Sequence, residues 1–145
     1  MGRSQRNKGA AAEREVARFL RDHLGDGWTV TRSAIGESTH DLQVLDPGGR
    51  PWRYAAEVKR YRAFSVGEAC RGSARWRAWW AQAERQAAHV GRSPLLITRG
   101  DRRPWWIWRH SPAGLVPRWR GAPCVVCIGP VYGVRLVDLE PGELC

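Results

Sequence analysis

The run Tyr54-Ala55-Ala56-Glu57-Val58-Lys59 decides how the rest of this 145-residue chain is read. Side chains alternate faces along a strand, so Glu57 and Lys59 share one face while Ala56 and Val58 point into packing on the other. Upstream lies a second strand-like run, His40-Asp41-Leu42-Gln43-Val44-Leu45, separated from the first by the turn residues Asp46-Pro47-Gly48-Gly49. Strands expected at Asp41 to Leu45 and Trp52 to Arg60 then form a hairpin that carries Asp41 to the Glu57/Lys59 face. Two carboxylates and an ammonium in one small site suit a hard divalent cation and an attacking water, the requirements of phosphodiester hydrolysis. The same residues also fit an ordinary surface ion pair, and spacing alone leaves both readings open.

The N-terminal segment adds a third acidic group. From Gly9 to Leu24 the chain has strong helix formers and a 3.6-residue apolar period, with Val16, Ala17, Leu20 and Leu24 as its stripe. Glu13 belongs to that inward stripe, whereas Glu15 lies off it near Arg18 and Asp22. A carboxylate on a core-facing stripe needs a partner or a metal, although a place in the first helical turn would also favour it. Residues 1–8 are polar and basic and read as a mobile arm. Gly25-Asp26-Gly27 stops the helix.

Composition narrows the class of partner. The chain carries 24 Lys+Arg against 14 Asp+Glu, a formal charge of +10, which points to a polyanion. With no membrane-length apolar run, no hydrophobic leader and no lipid-ready basic helix, nucleic acid in an intracellular, cytoplasmic setting is the expected partner. Forty-three per cent hydrophobic residues and nine Trp imply one folded domain over 1–145, with 111–145 as its C-terminal extension. Lys8 and Lys59 are the lysines in a chain otherwise supplied with Arg. Arg does not give up its proton whereas a Lys amine is tunable, so Lys59 stands out.

Further along, Trp28 to Ser33 reads as a strand and Ala34 to Thr39 as a loop beside the site. A helix runs from Ser65 or Ser73 to His89, with Trp76, Trp79, Trp80, Ala83, Ala87 and Val90 on one face. Strands follow at Pro94 to Arg99 and Trp105 to Arg109, and strand-like runs at Cys124 to Ile128 and Val134 to Leu139. Helical periodicity favours packing, in the core or a subunit interface, over base stacking for the tryptophans; Trp119 between Arg118 and Arg120 allows either. Cys124-Val125-Val126-Cys127 has metal-ligand spacing, but without a second pair it reads as structural and reduced. Helix, three-stranded meander, helix and further strands make an α/β fold with a mixed central sheet flanked by helices.

Taken in order, Lys8-Gly9, Ala12-Glu13-Arg14-Glu15, Val30-Thr31-Arg32-Ser33-Ala34, His40-Asp41-Leu42 and Ala56-Glu57-Val58-Lys59 resemble an archaeal-type Holliday junction resolvase of the PD-(D/E)XK nuclease superfamily, which has phage-encoded relatives. His40 stands where the superfamily name has Pro, and the Trp-rich middle and C-terminal segment have no match. The resemblance implies a restriction-endonuclease-like fold. It also implies Mg²⁺, with Mn²⁺ substituting, held by Asp41 and Glu57 and completed by Glu13 directly or through water. Lys59 would be catalytic. Arg14, Arg32 and Ser33 would contact DNA near the site, and Arg3, Arg6 and Lys8 would grip its backbone. In several branches of the superfamily a Gln on the second helix approaches the site, which adds Gln82. Four-way junction DNA cut by a homodimer is the implied activity, with another PD-(D/E)XK repair or restriction nuclease, or a non-catalytic nucleic-acid-binding module, as alternatives.

Overall fold

A computed structural model describes residues 3–33, 40–110, 125–128, 131–139 and 144, with the backbone alone for 3–7 and 125–128. Helix α1 (Arg3–Leu24) leads into β1 (Thr29–Arg32), β2 (Leu42–Leu45) and β3 (Tyr54–Arg60). The short α2 (Val66–Cys70) and the longer α3 (Ala74–His89) precede β4 (Ser93–Arg99), β5 (Trp106–His110), β6 (Val125–Ile128) and β7 (Val131–Arg135). The strands join in one sheet of order β1-β2-β3-β4-β5-β7-β6. β3 and β4 run parallel, bridged by the α2–α3 crossover, and the other neighbours run antiparallel. This is the expected mixed α/β architecture.

Two apolar layers cover the sheet. On one face, Ala12, Val16, Ala17, Leu20 and Leu24 of α1 pack with Val30, Leu42, Val44, Ala56, Val58, Leu95 and Ile97. On the other, Trp76, Trp80 and Ala83 of α3 pack with Leu96, Trp106 and Trp108. Most of the Trp residues are therefore core, as helical spacing indicated for α3. Trp108 is fully buried, and its indole nitrogen donates to Thr98 Oγ1 at 2.8 Å. The ring fits because its cross-strand neighbour is Gly133, where an added Cβ would lie 2.4 Å from ring carbons.

Beyond shifts of one or two residues at the strand ends, three boundaries differ from expectation. α1 begins at Arg3, so the stretch expected as an arm up to Lys8 continues the helix. Its polar residues lacked an apolar period, but Arg, Gln and Lys are good helix formers and no Pro interrupts them. Both candidate starts of the second helix are used: the chain breaks at Gly72, with φ +59°, and restarts where Ser73 Oγ accepts from Trp76 N at 3.2 Å. The final strand is Val131–Arg135, not Val134 to Leu139. It ends where Arg135 Nε reaches Asp138 Oδ2 at 2.6 Å and Leu136–Asp138 forms a 3-10 turn. The end of the chain rejoins the core, with Leu144 buried and its carbonyl accepting from Trp52 Nε1. The loop 34–39, Trp119, Cys124 and Cys145, and the side chain of Cys127, lie outside the described residues, and among those described Cys70 is an exposed free thiol.

Candidate active site

Pairing between β2 and β3 is short. Leu42 lies opposite Ala56, and Asp41 N donates to Ala56 O at 3.0 Å. Beyond that point β2 has ended, and Asp41 Oδ2 takes the place of a ladder acceptor, receiving Val58 N at 2.7 Å. The Asp41 side chain is thereby anchored on the β3 backbone beside Glu57.

Glu57 is 2% exposed, which excludes the surface ion pair that spacing alone had left open. Its parallel neighbour on β4 is Leu96, so Glu57 faces the α3 layer. There Gln82 Nε2 donates to Glu57 Oε1 at 2.8 Å, and Lys59 Nζ reaches the same oxygen at 2.5 Å. The other oxygen, Oε2, is buried and has no hydrogen-bond partner among the described residues. A buried carboxylate oxygen left bare is expensive unless something cationic meets it.

Asp41 reports the same imbalance. Burial first, then the neighbouring Glu57 carboxylate, push its pKa up to about 7, with Glu13 adding to the rise. The Val58 amide and, less strongly, Lys59 oppose it. Two acids crowded so that one resists ionising, next to a bare carboxylate oxygen, are a donor set that a divalent cation would satisfy. The residues present therefore fit a hard metal ion held by Asp41 and Glu57. Among the described residues, no three His, Cys, Asp or Glu side chains converge closely enough to form a ligand group. Glu13 sits at the margin, its Oε2 accepting from Arg32 Nε at 2.6 Å. It is near enough to act on Asp41 through charge, without joining the pair.

The other expected residues divide. Ser33 is joined to the site through its backbone, donating to Asp41 O at 3.0 Å, and its buried Oγ has no partner among the described residues. Arg32 is committed to Glu13 but keeps about a third of its side chain exposed. Arg14 and Lys8 are exposed, and no contact joins them to the acidic pair among the described residues. Arg3 and Arg6 lie in the first turns of α1, their side chains outside the described residues. His40 is held below its ordinary pKa, mainly by burial and then by Arg92, and lies 3.4 Å from the Arg92 guanidinium.

One structural clamp escaped the sequence reading. Glu15, expected beside Arg18 and Asp22, instead receives Arg99 Nη1 at 2.5 Å, Arg99 Nη2 at 2.8 Å and Trp105 Nε1 at 3.0 Å. It ties α1 to the end of β4. Partners so distant in the chain leave no periodic signal.

Compared with known proteins, residues 4–122 match the family model described as "Phage putative PDDEXK endonuclease". No curated protein matches the chain. No described helix is long and apolar enough to cross a membrane.

Proposed function

The chain belongs to the phage PDDEXK endonuclease family, and from that premise we propose that it is a Mg²⁺-dependent, structure-selective DNA endonuclease that resolves four-way junctions. A nuclease of the PD-(D/E)XK superfamily is what family membership gives; the junction is our reading of the motif order around Glu13, Arg32, Asp41 and Glu57. The observation that carries the catalytic part is the bare Oε2 of buried Glu57, set beside Asp41 and Lys59.

In this reading Asp41 and Glu57 hold the metal, with Glu13 contributing through water. Bound there, Mg²⁺ supplies Lewis-acid polarisation of a phosphate oxygen. Mn²⁺ would serve in its place, having the same preference for oxygen donors. Lys59 keeps one N–H on Glu57 and has two more to offer; about a quarter of its side chain is exposed, so it can orient the attacking water and face charge developing on the phosphorus oxygens. Gln82 fixes the Glu57 carboxylate so that Oε2 stays turned away from the Lys59 contact. Arg14, Arg32 and Ser33 hold phosphates close to the site, with Arg3, Arg6 and Lys8 further out. A homodimer, with one site per strand, matches the two-fold symmetry of a junction.

Purified protein would be incubated with end-labelled four-way junction, flap and linear duplex, with Mg²⁺ and with EDTA. The expected outcome is paired symmetric cuts in the junction, dependent on Mg²⁺, with the duplex left largely intact. Equal cutting of duplex would give the assignment to a restriction- or repair-type enzyme. No cutting of any substrate would favour a non-catalytic nucleic-acid-binding module.

A further inference from the structure

While most of the tryptophans are buried, one large aromatic ring among the described residues stays exposed. Tyr61 is 42% exposed and stands two residues beyond Lys59, at the end of β3. Its ring is covered on one side by Arg75, whose guanidinium carbon lies 3.8 Å from the ring centroid. Arg75 is itself held, because Nη1 donates to both oxygens of Glu68 at 3.0 and 2.9 Å, and Ser73 Oγ donates to Glu68 as well.

The ring sits on a fixed base. Tyr61 N donates to Arg99 O, Phe64 N to Tyr61 O, and Asp101 N to Arg62 O, which binds the chain after β3 to the turn after β4. Arg60 pairs with Asp101 across the same junction. Gly100 closes it: an added Cβ would fall 2.1 Å from Phe64 O. Around this base Arg62, Arg102 and Arg103 are exposed and have no carboxylate partner among the described residues. Arg102 is the described non-glycine residue with positive φ, at +57°.

The relation to the catalytic site is set by one helix and one strand. Gln82 and Arg75 lie two turns apart on the same side of α3, about 10 Å by helix rise, and meet Glu57 and Tyr61 respectively. Glu57 and Tyr61 lie about 13 Å apart by strand rise, on the same side of the strand line. An exposed, immobilised aromatic face bordered by unpaired arginines is the arrangement by which proteins hold single-stranded nucleic acid: bases stack and phosphates pair. Inside a continuous duplex every base is stacked on both faces, so none is open to such a ring.

We propose that Tyr61, seated on Arg75 and bordered by Arg62, Arg102 and Arg103, is a stacking platform for an unpaired base of the DNA strand that enters the active site. The proposal rests on the nuclease reading and deepens it: the ring would take a base that has left its pair at the branch point of the DNA. Because Tyr61 touches neither Asp41 nor Glu57 directly, its role is positioning.

The test is the ratio of affinities for a forked duplex and a blunt duplex of equal length, measured by fluorescence anisotropy in EDTA so that no cutting occurs. Wild type and Tyr61→Phe should favour the fork. Tyr61→Ala should lose about tenfold in fork affinity while duplex affinity stays unchanged. An unchanged ratio in Tyr61→Ala, or an equal loss on both DNAs, would overturn the platform. Circular dichroism of Tyr61→Ala checks that the exposed substitution leaves the fold intact, and Tyr61→Phe separates the ring from the hydroxyl. Cleavage by the wild type with Mg²⁺ is scored separately, so a failure of the nuclease reading is distinguishable from a failure of the platform.

Discussion

Lys59 is ion-paired with Glu57, whereas Asp41 feels the same glutamate only through charge, so the two make different predictions. Lys59→Arg keeps the charge but replaces a compact ammonium with a planar, bulkier donor. If Lys59 orients water, single-turnover cleavage of saturated junction should fall by two orders of magnitude or more, the scale typical of losing a positioned catalytic group. DNA affinity should change much less. A near-normal rate would reduce Lys59 to a counter-ion of Glu57. Asp41 makes a pH prediction. With its folded pKa raised to about 7 from an ordinary 3.8, the folded protein keeps a proton that the unfolded chain has released across that window. The stability it contributes is thus complete below about pH 4 and is lost as pH rises to about 7. The metal-free melting temperature should fall by several degrees between pH 5 and 8 relative to Asp41→Asn. His40, held below its ordinary pKa, works in the opposite direction, which is why that comparison is the informative one. If Asp41 holds the metal, apparent Mg²⁺ affinity should rise through the same interval, because the carboxyl must first deprotonate. Melting curves of the two proteins that stay parallel across pH would remove Asp41 from the acidic pair.

At the scale of elements, α3 brings Gln82 onto Glu57. Gln82→Ala leaves Glu57 Oε1 with Lys59 alone and frees the carboxylate to rotate. Loss of such an outer partner typically costs 10- to 100-fold in metal affinity or activity. The turnover rate should therefore drop by about that much while affinity for junction DNA is preserved. A rate within twofold of wild type would mark Gln82 as incidental. The β5–β7 pair depends instead on space. Gly133→Ala drives a methyl into the fully buried Trp108 ring, which packs against α3 and has little room to retreat. Overpacking of this kind costs roughly 1–3 kcal/mol, and urea denaturation should show the midpoint moving down by a corresponding amount. An unchanged midpoint would mean that the β5–β7 pair yields freely.

For the whole molecule, the charge of +10 predicts strongly salt-dependent binding to DNA. Removing Arg3 and Arg6 together should reduce the slope of log affinity against log salt by about 2, if each contacts one phosphate. The helical start at Arg3 makes that prediction sharper than an arm would, because a helix presents these residues at set positions along its axis. A slope unaffected by the double substitution would place the N-terminal turns of α1 away from DNA.

Local pattern made much of this protein legible. Alternation in Tyr54–Arg60 placed Glu57 and Lys59 on one face, the turn after Leu45 placed Asp41 beside them, and helical spacing put Trp76, Trp79, Trp80, Ala83, Ala87 and Val90 on one packing face, of which Trp79 and Val90 are only partly buried. These properties belong to residues close together in the chain, where backbone geometry alone decides which side chains share a face. Tertiary structure decided the remainder: Gln82 landing on Glu57, Glu15 gripping Arg99 and Trp105, Tyr61 stacked on Arg75, and Glu13 held at the margin by Arg32. Each depends on how β3 and β4 come into parallel register and how α1 and α3 lie across the two faces. Periodicity carries no record of such register, because it emerges only when distant segments bury their apolar faces together.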